Sequence, residues 1–95
     1  MKKIYLLNVV YTSLNCADLK GTKTFNFYPQ AAGSKEQIEK ILNSRIEEAN
    51  RGGYNVTELS SREINAGSYF ERVVRLDNSI GGPTIFGISH VWEAL

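Results

Sequence analysis

Imidazole and thiol chemistry rests on two side chains in this sequence, His90 and Cys16. A zinc site needs several converging ligands, so one histidine and one cysteine build none within a single chain. A thiolate–imidazolium pair would need a third group to orient the ring, and none is identifiable. Cys16 therefore reads as an inert, partly buried thiol, and His90 as a packed side chain or a contact to a partner. Carboxylates fail the same test. Glu47 and Glu48 are adjacent and diverge on a helix, while Glu58, Glu63 and Glu71 fall on separate segments, so no acid–base dyad can be argued. The expectation is a protein without catalytic residues, metal or cofactor, and not an enzyme.

The glycine-rich stretches do not cradle phosphate. Arg51-Gly52-Gly53-Tyr54 follows a helix, whose negative dipole end repels anions, and reads as a C-cap. The run from Ser79 to Thr84 precedes a strand instead of opening a helix, as a turn does. Arg72 and Arg75 are more suggestive, because they stand in a strand pattern with Tyr69, Phe70 and Val73. Alternation puts them on opposite faces, so only one can share a given surface. The residues expected at a binding surface are Arg72, Arg75, Tyr69, His90, Trp92 and Tyr11. A sheet that reads RNA carries glycine and paired aromatics within one strand, a signature missing here.

These side chains need elements to hold them. Lys3 to Thr12 is apolar on both faces, with Tyr5, Leu7, Val9 and Tyr11 on one and Ile4, Leu6 and Val10 on the other, the mark of an interior strand. A nine-residue connection, Ser13 to Gly21, leads to a second strand over Thr22 to Tyr28, which Pro29 ends. Ala31 to Gly33 reads as a short linker. Ser34-Lys-Glu-Gln37 then fits a capping box, and Ile38, Ile41, Leu42, Ile46 and Ala49 recur at helical spacing up to Gly52-Gly53. Strands follow at Tyr54 to Leu59, Tyr69 to Leu76 and Thr84 to Trp92, with a short helix from Ser89 as the alternative for the last stretch. The order β-β-α-β-β-β predicts an α+β fold, a mostly antiparallel sheet of four to five strands backed by one amphipathic helix.

The chain of 95 residues reads as a single domain, large enough for a core without disulfides. Its lone cysteine disfavours a disulfide-stapled secreted scaffold, and Asn8 interrupts the only stretch that resembles a signal peptide, so a cytoplasmic protein is expected. A net charge of +1 makes nucleic acid an unfavoured partner and supplies no field toward a membrane. Geometry sets the functional expectation. A five-stranded sheet is roughly 20–25 Å wide, and one helix covers only about 10–12 Å of it. Loops, a second copy or another macromolecule must shield the rest. The leading expectation is a non-enzymatic, dimeric binding protein that occludes a partner protein, in the manner of compact inhibitors carried by phages and mobile elements. The alternatives are a small ligand, a nucleotide or signal molecule, held between protomers, and weak nucleic-acid binding through the sheet.

Overall fold

The computed structural model describes residues 2–11, 28–59, 70–77 and 83–93. Among the described residues five strands and one helix follow in the order β1 (Lys3–Tyr11), β2 (Tyr28–Gly33), α1 (Lys35–Arg51), β3 (Asn55–Leu59), β4 (Arg72–Asp77) and β5 (Thr84–Trp92). All four pairings are antiparallel, and the strands lie side by side as β2-β1-β5-β4-β3. The fold is α+β, with α1 packed on one face of the sheet. The doubly apolar β1 is an interior strand, joined to β5 along its full length.

Alternation assigns each side chain to a face. Tyr5, Leu7 and Val9 of β1, Phe86 and Ile88 of β5, and Val74 and Leu76 of β4 meet Ile38, Leu42 and Ala49 of α1 in the main core. On the far face Val73 and Ile85, each only 1% exposed, pack with buried Phe70 and with Val10 and Leu59. The middle of the far face is thus closed within one chain. What stays open there is a corner: Ile4 and Leu6 are half-buried, and Ala32 and Val91 are exposed. Among the described residues, the apolar surface left on the far face lies mainly at this corner, with Val10 and Leu59 half-buried at the margin of the second cluster.

Helix α1 begins where the capping box places it. The Gln37 N–H donates to Ser34 Oγ at 3.2 Å, and the Ser34 N–H donates to Gln37 Oε1 at 2.9 Å. At the other end Gly53 takes φ +77°, a conformation that costs other residues about 1–2 kcal/mol.

The second strand differs from the expected one. Instead of ending at Pro29, β2 runs through it to Gly33, so Ala31 to Gly33 is strand and not linker. The cause is its place at the edge of the sheet. The register against β1 shifts between Leu7 and Asn8, and an outer strand needs no N–H from its proline. The rest of the expected strand, residues 22–27, lies outside the described residues, as do Cys16, the 13–21 connection and Tyr69. β5 continues as a strand to Trp92, which removes the helical alternative from Ser89.

Candidate functional site

Along β5 the side chains on the helix side read Phe86, Ile88, His90, Trp92, passing from buried to exposed as the strand leaves the shelter of α1. The β1–β5 register sets Tyr5 opposite His90 and Lys3 opposite Trp92. Four side chains therefore meet at one end of the sheet. The Tyr5 and His90 rings lie 5.9 Å apart at 52°, and the His90 and Trp92 rings 6.2 Å apart, nearly perpendicular. Lys3 Nζ sits 5.4 Å from the centre of the Trp92 ring, within cation–π range. Glu71, just before β4, completes the group, with its Oε1 3.1 Å from His90 Nδ1.

This arrangement fixes a ring. The carboxylate and the two flanking aromatics hold the imidazole in one orientation. Ser89, the neighbouring hydroxyl on β5, belongs to the opposite face and bonds to Asn8. Among the described residues no group of three or more histidine, cysteine, aspartate or glutamate side chains converges as a metal site. Trp92 remains 54% exposed on this support, while Val91, behind it on the far face, is 46% exposed beside Ile4. A groove of about 620 Å³ adjoins the cluster, running between the start of β1 and the first turn of α1 past Lys3, Tyr5, Gly33, Ser34 and Gln37.

The two arginines do not join this group. Arg72 lies on the helix side, where its Nη2 is 2.7 Å from Glu58 Oε1 and its Nη1 donates to Asn43 Oδ1 at 3.2 Å, tying β4 to β3 and α1. Arg75 is on the far face and grips Asp77 with two bonds, of 2.9 and 3.1 Å. They occupy opposite faces, as alternation requires, and both are engaged in ion pairs with carboxylates of the chain. Tyr11 ends β1 opposite Thr84, at the other end of the sheet from Trp92. Of the residues singled out from sequence, the structure brings His90 and Trp92 together. It adds Lys3, Tyr5 and Glu71, whose only sequence signal was the phase of Lys3 and Tyr5 within the first strand.

Asn8, which carries no role in the sequence pattern, is buried between the interior strands β1 and β5. Its Nδ2 donates to Gly87 O at 3.2 Å and to Ser89 Oγ at 2.8 Å. Gly87, directly opposite, has no side chain to compete for that space.

No family model, curated protein or solved structure matches this chain. No helix among the described residues is long and apolar enough to cross a membrane.

Proposed function

We propose that this protein is a non-enzymatic binding module that occludes a partner protein in the cytoplasm of the producing or host cell, through the end of the β1–β5 ribbon that bears Trp92. One observation carries the reading: a tryptophan more than half exposed, braced from beneath by the fixed imidazole of His90 and flanked by Lys3. Tryptophan and tyrosine dominate the energetic centres of protein interfaces because they bury much surface and have few torsions to order. Val91 and Ile4 extend the same end onto the far face, so an occluding partner would grip the ribbon from both sides.

The test compares wild type with Trp92→Ala as immobilised baits for proteins from the producing or host cell, quantified by mass spectrometry. Removing a central anchor of about 2 kcal/mol or more should reduce retention of the specific partner roughly 30-fold, while Arg75→Ala, altered toward the end of the sheet away from Trp92, retains it. Identical protein sets on wild-type and Trp92→Ala baits, with both folded by circular dichroism, would refute the reading.

The groove beside Tyr5 favours a second reading, a nucleotide or signal molecule stacked on the aromatic cluster with Lys3 against its charge. Its volume suits a small ligand. Native mass spectrometry of freshly purified protein would then show added mass, and the same compound would raise the melting temperature.

A further inference from the structure

The two outer strands of the sheet are not alike. On β2 the register is irregular, and Pro29 offers no N–H at the rim. β3 has neither protection. Asn55 to Leu59 pairs with β4 in unbroken register, contains no proline, lysine or bulge, and leaves Asn55, Thr57 and Glu58 exposed. Among the described residues no strand lies beyond it.

The hydrogen-bonding phase of that rim can be worked out. The Glu93 N–H donates to Lys2 O at 2.7 Å, in line with the pairing of Lys3 with Trp92, so odd-numbered residues of β5 direct their backbone groups toward β1 and even-numbered ones toward β4. Carried through the registers of β4 and β3, the same alternation turns Asn55, Thr57 and Leu59 inward and points the N–H and C=O of Val56 and Glu58 outward.

We propose that this rim pairs with the same rim of a second copy, antiparallel about a two-fold axis at Thr57, making a continuous ten-stranded sheet. The segment is complementary to itself. Thr57 faces Thr57 of the second copy, a favourable cross-strand pair. Val56 meets Glu58, and Asn55 meets Leu59, so no like charges stand opposite one another. Glu58 brings little free charge to the seam, because Arg72 of its own chain holds it at 2.7 Å. Val56 and Glu58 exchange both backbone hydrogen bonds with their counterparts, four in all. A two-fold contact of this kind closes on itself and cannot propagate into a fibre. It also leaves the Trp92 end of each protomer free, since β4 and part of β5 lie between Trp92 and β3. The pairing does not depend on the binding role proposed above.

Light scattering and sedimentation from about 5 to 200 µM should show the mass moving from that of one 10.6 kDa chain toward twice that value. Amide exchange at Val56 and Glu58 should slow as concentration rises. Thr57→Glu sets two carboxylates against each other at the axis, while within each chain the new side chain sits opposite Arg75, so the fold is kept and the dimer is lost. Thr57→Val should retain the dimer, as should Val91→Lys at the far-face corner. A wild-type monomer across the whole range would overturn the proposal, as would a dimer indifferent to Thr57→Glu or one lost with Val91→Lys. Protection of the Val56 and Glu58 amides only after another protein is added would assign the rim to that protein and not to a second copy.

Discussion

Asn8 shows how a single residue resists reading from sequence. In a run of apolar side chains it looks like an interruption, yet it is 5% exposed and fully engaged, bridging Gly87 O and Ser89 Oγ. Asn8→Ala would remove both bonds, leaving Ser89 Oγ without that donor and a small void opposite Gly87. The expected loss is about 1–3 kcal/mol, read as a lower urea midpoint at unchanged slope. An unchanged midpoint would mean that the pair contributes nothing net. His90 is the contrasting case. Its position two residues before Trp92 in an alternating strand already implied a shared face, whereas its bond to Glu71, nineteen positions away, depended on how β4 enters the sheet. Arg72 and Arg75 were legible as a pair on opposite faces. Their carboxylate partners became clear only once Glu58, from another strand, and Asp77, on the same one, were placed around them.

Local chemistry decides some elements outright. α1 announces itself through a reciprocal cap and a stripe of apolar residues, and its boundaries, Lys35 to Arg51, follow from Ser34 at one end and Gly52-Gly53 at the other. Gly33 belongs to the same device, since a Cβ there would come within 2.5 Å of the Gln37 Oε1 that folds back to the cap. Ser34→Ala should cost about 1 kcal/mol by chemical denaturation, with Ser34→Thr recovering most of it. Equal stability of Ser34→Ala and wild type would show that the cap is dispensable. Strands carry weaker boundary signals. β5 matches its expected bounds from Thr84 to Trp92, because its alternation is uninterrupted. β2 runs past its expected end at Pro29 to Gly33, because at an outer strand a proline is tolerated.

For the whole molecule the decisive comparison is between sheet width and helix width. The mismatch is real, but the chain resolves most of it alone: Val73 and Ile85 are sealed on the face away from α1 by a second apolar cluster. Ile85→Ala should therefore cost about 2–5 kcal/mol, comparable to Leu42→Ala beneath the helix, and the penalty should not vary with protein concentration. A cost under about 1 kcal/mol would indicate a far face open to water in solution. With that face closed, the contacts proposed above fall at the Trp92 end and, for a second copy, at the β3 rim.

From sequence alone came the fold class, the order of elements, the helix and its caps, the interior character of β1 and the opposed faces of the two arginines. Each follows from periodicity and capping, which act over a few neighbouring residues. Strand order, registers and the partners of charged groups came only from the tertiary structure. These bring together residues as distant as Lys3 and Trp92, and such pairings minimise the energy of the packed sheet as a whole rather than of any one segment. The aromatic end and the β3 rim belong to this second kind, for they exist only after the strands have chosen their neighbours.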